Sequence, residues 1–122
     1  MSNEQWDAKT STSRSRPDWA SGLGEHPATL TILEGPGEGK IFLLKKEETV
    51  VGRQEGADIR LDSKEVSRKH LIISHTRAGW RLQDQKSLNG TYINGVKVHS
   101  AILRNGDRIT LGDVVLEFKD AG

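Results

Sequence analysis

The sequence predicts an all-β domain, a sandwich or barrel of about ten short strands, behind a polar N-terminal segment. Three observations carry this. From Ala28 onward apolar residues recur with a period of two, the spacing of one face of a half-buried strand. The runs are short and are separated by Gly, Asn or Asp, and three Asn-Gly pairs begin at Asn89, Asn94 and Asn105. Asn-Gly tolerates positive φ at both centre positions of a two-residue hairpin, so each pair is a strong local turn signal. No window keeps apolar residues at i, i+3, i+4 and i+7 for three turns, so no helix is expected.

The elements follow in chain order. Leu30 and Ile32 alternate with Thr29 and Thr31, and Gly35-Pro36-Gly37-Glu38-Gly39 is a loop. Ile41 and Leu43 then face one way, with Phe42 and Leu44 facing the other. Val50-Val51, Ile59 with Leu61, Leu71-Ile72-Ile73, and Trp80 with Leu82 continue the series. Tyr92-Ile93, Val96 with Val98, Ile109 with Leu111, and Val114-Val115-Leu116 with Phe118 complete it. β-branched and aromatic residues dominate these runs, as a pleated, half-buried surface favours.

A chain of 122 residues has room for one such domain and a tail. Hydrophobic residues make up 34%, which is low, and the deficit is local: residues 1–27 hold few large apolar side chains beyond Trp6, Trp19 and Leu23. That composition cannot bury enough surface to offset the entropy of ordering, so a disordered tail over 1–27 and a domain over 28–120 are expected. The net charge of +1 offers no strong basic excess, and basic residues are not interleaved with exposed aromatics, so nucleic-acid binding is not expected. Cysteine is absent, which excludes disulfides and thiolate ligands. No apolar run approaches the ~20 residues of a membrane span, and the N-terminus carries no apolar signal region. A cytoplasmic, membrane-independent monomer is the default expectation.

Several motifs invite a chemistry that their context refuses. Gly35 to Lys40 suggests a phosphate loop, but the glycine spacing is one residue short. Ile41 also stands where a magnesium-binding Ser or Thr belongs, and a strand follows where a helix N-terminus is needed. Asn89-Gly90-Thr91 matches a glycosylation sequon, but a turn accounts for it better. Ser67, His70 and an Asp suggest a hydrolase triad, without the Gly-x-Ser-x-Gly elbow or room for a substrate cavity. His26, His70, His75 and His99 show no ligand spacing. No catalytic residue, metal site or cofactor is expected.

Three turn groups survive. Gly52-Arg53, then Ser67-Arg68-Lys69-His70, then Ser87-Leu88-Asn89-Gly90-Thr91 with Asn94-Gly95, each stand where one apolar run stops and the next begins. Singly each is ordinary turn chemistry. Together they supply guanidinium, hydroxyl, ammonium and carboxamide donors, the chemistry that holds a phosphate and the backbone of the peptide carrying it.

In this order and spacing the set resembles the forkhead-associated (FHA) domain, over about Ala28 to Lys119. The likeness takes in Ala57-Asp58-Ile59 and Leu103-Arg104-Asn105-Gly106-Asp107-Arg108-Ile109. The resemblance implies an eleven-stranded β-sandwich whose loops at one end bind phosphothreonine peptides. The implied function is phosphorylation-dependent protein–protein interaction in Ser/Thr kinase signalling. A phosphate-independent scaffold of the same fold is the alternative.

The resemblance also implies roles. Arg53 would reach the phosphopeptide, Ser67 would hydrogen-bond the phosphate, Arg68 would add a second contact, and Asn89 would pair with the peptide backbone beyond the phosphothreonine. Gly52 would admit a tight turn and His70 would brace the loop carrying Ser67. Gly90, Thr91, Asn94 and Gly95 would fix the loop carrying Asn89. Glu65 and Leu88 are the positions where this domain's own preference is expected, with Glu65 disfavouring an acidic residue third after the phosphothreonine. In the tail, a solvated Ser/Thr-rich segment is the plainer expectation. The alternative is a switch in which phosphorylated Thr10 or Thr12 folds back onto Arg53 and Ser67 at an effective concentration on the order of mM.

Overall fold

A computed structural model describes residues 28–120, which contain eleven strands and no helix. In chain order these are β1 (Ala28–Glu34), β2 (Ile41–Leu44), β3 (Glu48–Gly52), β4 (Ile59–Arg60) and β5 (Leu71–Thr76). They continue with β6 (Gly79–Asp84), β7 (Thr91–Ile93), β8 (Val96–Val98) and β9 (Ser100–Ile102). β10 (Arg108–Leu111) and β11 (Val114–Asp120) end the series. They form a five-stranded sheet, order β9-β6-β5-β3-β4, and a six-stranded sheet, order β2-β1-β11-β10-β7-β8. The β3–β4 pair is parallel, with Val51 opposite Ile59, and the other pairs are antiparallel.

The period-two pattern becomes the core. Ala28, Leu30 and Ile32 of β1, Leu116 and Phe118 of β11, and Ile109 and Leu111 of β10 point inward from one sheet. They meet Val51, Leu71, Ile73, Trp80 and Leu82 from the other, while Leu44, Leu61, Val66 and Leu103 plug the rims from loops and strand ends. Burying a side chain of this size is worth ~1.5–3 kcal/mol relative to exposing it, so these inner faces carry most of the drive to stack the sheets.

Two expectations change. The sequence pattern marks ten runs, and β9 is the strand it passes over. Ser100-Ala101-Ile102 lacks strong alternation and is a strand through its pairing with β6, Ala101 opposite Leu82. Of the three Asn-Gly pairs only Asn94-Gly95 is a two-residue hairpin with both residues at positive φ (50° and 86°), joining Ile93 to Val96. At Asn89-Gly90 and Asn105-Gly106 only the glycine takes positive φ, and each pair sits in a longer connection.

Candidate functional site

At one end of the sandwich the β3–β4, β4–β5 and β6–β7 connections converge. The frame begins at Gly52, the last residue of β3. Its φ is not positive, so a tight turn is not why glycine stands there. A Cβ would lie 2.0 Å from the Arg68 carbonyl oxygen and 3.0 Å from that of Ser67. Glycine is needed because the backbone of the β4–β5 loop lies directly against it. That approach lets Arg53 N donate to Ser67 O (3.0 Å) and Gln54 N donate to Arg68 O (3.1 Å).

His70, immediately before β5, is fully buried and ties the loops together. Its Nδ1 accepts from the Ser67 backbone N–H at 3.0 Å, which requires that nitrogen to be unprotonated. Nε2 therefore carries the proton and donates to Gly90 O at 2.9 Å. Burial pushes the His70 pKa below its ordinary 6.5, although the Gly90 carbonyl and the Asp84 carboxylate pull the other way. The His70 backbone is also committed, N–H to Val51 O and carbonyl to Gln85 N, both at 2.9 Å. With both ring nitrogens on backbone groups, His70 has no acceptor left for the Ser67 hydroxyl, and the two form no nucleophile–base pair.

Arg53 is half-buried and its Nε donates to Val66 O at 3.0 Å, which holds the side chain beside the β4–β5 loop. Ser67 Oγ accepts from Leu88 N at 3.0 Å and keeps its own hydroxyl hydrogen to donate. Asn89 is exposed, and its Nδ2 donates to Glu65 O at 2.7 Å. A carboxamide has two N–H donors and a carbonyl oxygen, so one donor and the acceptor remain for a ligand backbone. Arg68 and Lys69 are exposed on the same loop. Leu88 projects its side chain at 89% exposure. Glu65 is exposed, and its backbone abuts the β10–β11 turn, where a Cβ on Gly112 would come within 2.5 Å of the Glu65 Cβ.

The β6–β7 loop owes its shape to a residue outside the expected set. Asp84 Oδ1 accepts from Ser87 Oγ and from Thr91 Oγ1 (2.7 Å), and Oδ2 accepts from Ser87 N (3.1 Å). Burial works against its charge, but these donors outweigh it and hold the carboxyl below its ordinary 3.8. Ser87 Oγ in turn accepts from Gly90 N at 3.0 Å. The Asp-x-x-Ser spacing was the available signal, since a carboxylate three residues before a serine commonly caps a turn. Thr91, buried, belongs to this brace, and Gly90 takes φ +83°. Asn94 and Gly95, expected to support the same loop, do not reach it. Asn94 Nδ2 donates to Asp107 Oδ1 and its Oδ1 accepts from Arg108 N, both at 3.0 Å, which fastens the β7–β8 hairpin to the start of β10. Thr10 and Thr12 lie outside the described residues.

This arrangement brings Arg53, Ser67, Arg68 and Asn89 onto three interlocked connections at one end of the sandwich. The family model for the FHA domain matches residues 49–112, a span that contains all of them. The chain belongs to the FHA family. Among relatives, an oxoglutarate dehydrogenase inhibitor of Corynebacterium jeikeium is 40% identical over 102 residues, 84% of this chain and 71% of the relative. The glycogen accumulation regulator GarA of Mycolicibacterium smegmatis is 40% identical over 97 residues, 80% of this chain and 61% of its own length. The chain therefore spans less than two thirds of GarA. Among solved structures, Mycobacterium tuberculosis EmbR in complex with a low-affinity phosphopeptide superposes with a TM-score of 0.70 at 29% identity, over 79% of this chain and 25% of that one. The β-sandwich is the FHA architecture in strand number and in its two sheets.

Proposed function

We propose that the loop end of this FHA domain binds phosphothreonine-containing peptides, and that the domain is a non-catalytic adaptor in Ser/Thr kinase signalling. One observation carries the reading. Arg53, Ser67 and Asn89 each spend one hydrogen-bonding group on the loop frame and keep at least one polar group for a ligand. In this assignment the Arg53 guanidinium and the Ser67 hydroxyl take the phosphate, Arg68 adds charge, and Asn89 pairs with the peptide backbone. The phosphopeptide bound to EmbR supports this ligand class, and the names of the relatives, an inhibitor and a regulator, support action on other proteins. The commitment of His70 to two backbone groups argues against hydrolysis. The proposed setting is cytoplasmic and monomeric. A tail phosphorylated at Thr10 or Thr12 is proposed to compete for the same loops.

The test is calorimetric titration with a phosphothreonine peptide library, beside phosphoserine and unphosphorylated controls. Arg53→Ala removes a hydrogen-bonding partner of a charged group and should weaken binding by about 1.5–3 kcal/mol, roughly ten- to over a hundredfold. Replacing phosphothreonine by phosphoserine removes one methyl, worth ~0.8 kcal/mol, about fourfold. Binding that ignores the phosphate, or an Arg53→Ala variant with unchanged affinity, would support the phosphate-independent scaffold instead. The tail proposal fails if the phosphorylated 122-residue chain takes an external phosphopeptide as well as the unphosphorylated one does.

A further inference from the structure

Beside the Asn89 loop lies a cleft of about 460 Å³ lined by Asp84, Lys86, Ser87, Gly90, Lys97, Val98 and His99, with Glu65 outside its lining. Ser87 and Gly90 belong to the connection that carries Asn89, so the cleft adjoins the ligand-binding end. Two lysines and a histidine line it against a single carboxylate. That carboxylate, Asp84, is already engaged with Ser87 and Thr91 through three hydrogen bonds. Lys86 sits at φ +55°, a conformation uncommon for a residue with a long side chain, and the Asp84–Ser87 turn closes around it. Lys97, on β8, lies over Gly90: a Cβ there would meet Lys97 Cε at 3.1 Å and Nζ at 3.7 Å. His99 is fixed by its carbonyl, which accepts from Asp84 N at 2.9 Å.

We infer that this cleft is a second anion subsite, taking an acidic side chain or a second phosphoryl group on the same peptide whose phosphothreonine meets Arg53 and Ser67. The inference rests on the phosphopeptide reading above and gives it a direction. Glu65 is bonded to Asn89 through its carbonyl and its carboxylate repels acidic groups, while Lys86 and Lys97 line a separate cleft and attract them. The preferred acid therefore falls at a peptide position other than the third after the phosphothreonine.

The test uses the full chain and one phosphothreonine peptide in which a single residue is Gln, Glu or phosphoserine, moved through each position on either side of the phosphothreonine. The readout is the affinity ratio of the Glu or phosphoserine peptide to its Gln counterpart. This ratio cancels any general effect of a variant on the fold or on the phosphothreonine contact. The expected ratio is about three- to tenfold at the favoured position for Glu and larger for phosphoserine, whose charge is greater. It should shrink in high salt and fall to about one in the Lys86→Gln/Lys97→Gln double variant. A Glu ratio with no phosphoserine gain assigns the cleft to carboxylates, and the converse assigns it to phosphoryl groups. A ratio near one at every position for both, a ratio that survives in the double variant, or a maximum at the third residue after the phosphothreonine overturns the inference while the phosphopeptide reading stands. Failure of every phosphopeptide to bind overturns both.

Discussion

The β1–β2 and β4–β5 connections are both loops that the sequence marks plainly, and they differ in how far they are fastened to their neighbours. The first closes on itself and the adjoining end of β1. Gly35, Gly37 and Gly39 all take positive φ, Glu38 N donates to Gly35 O, Lys40 N to Gly37 O, and Gly39 N to Ile32 O. The second has bonds of its own, such as Val66 N to Ser63 O, and is also held from outside. Its Ser67 and Arg68 carbonyls bond the start of the β3–β4 loop, and its Glu65 carbonyl and Ser67 hydroxyl bond the β6–β7 loop. Its Ser63 hydroxyl bonds Asp113 in the β10–β11 turn, and Val66 is sunk in the core. A loop that satisfies its own backbone can change without disturbing its neighbours. A loop fastened to three others transmits any change to all of them, and the proposed ligand contacts gather on that kind of loop.

Substitutions can break this contrast. The largest effect is expected from His70→Ala, which leaves the half-buried Ser67 N–H and the buried Gly90 carbonyl without partners. At ~1–3 kcal/mol for each, a loss of about 2–6 kcal/mol in unfolding free energy should appear in denaturant titration, together with loss of phosphopeptide binding. Gly52→Ala drives a methyl into the Arg68 carbonyl and should cost about 1–3 kcal/mol, the range for an overpacked site, again with lost binding. In the other loop, Gly39→Ala meets no atom within 4 Å but must adopt φ +94°. The expected loss is ~1 kcal/mol in stability, with phosphopeptide affinity unchanged. Equal damage to binding from Gly39→Ala and Gly52→Ala would erase the distinction.

Acid gives a finer probe of the same frame. Because His70 holds its folded pKa below 6.5, the unfolded chain takes up that proton first. Its stabilising contribution is complete above pH 6.5 and is lost as pH falls from there through the depressed folded value. Asp84 is also held low, so its contribution is complete above 3.8 and is lost below that. Melting temperature against pH should therefore fall in two separate stages. The first should vanish in His70→Gln and the second should shrink in Asp84→Asn, the remainder coming from Asp58, which Lys46 and the Val50 N–H also hold low.

What the sequence made legible follows from distance along the chain. Alternation is local, so the inner faces of β1, β5, β6, β10 and β11 could be marked from their neighbours alone. β9 could not, because Ser100-Ala101-Ile102 is a strand only through β6. Gly52 stands out in sequence as a turn glycine, whereas its close contact is with Arg68, beyond the reach of any local pattern. Asn94-Gly95 repeats the dipeptide of Asn89-Gly90, yet one faces β10 and the other the β4–β5 loop. Asp84 closes a strand in sequence; its spacing to Ser87 is a local signal, but its bond from Thr91 depends on how the loop folds back.

The bond from Asn89 Nδ2 runs to the carbonyl of Glu65, not to its carboxylate. Any amino acid at position 65 can supply that carbonyl. The identity of the side chain there is uncoupled from the bond that positions Asn89. Position 65 is thus a place where the unbranched side chain can be exchanged beyond Cβ, which packs against Gly112, while the bond that positions Asn89 is kept.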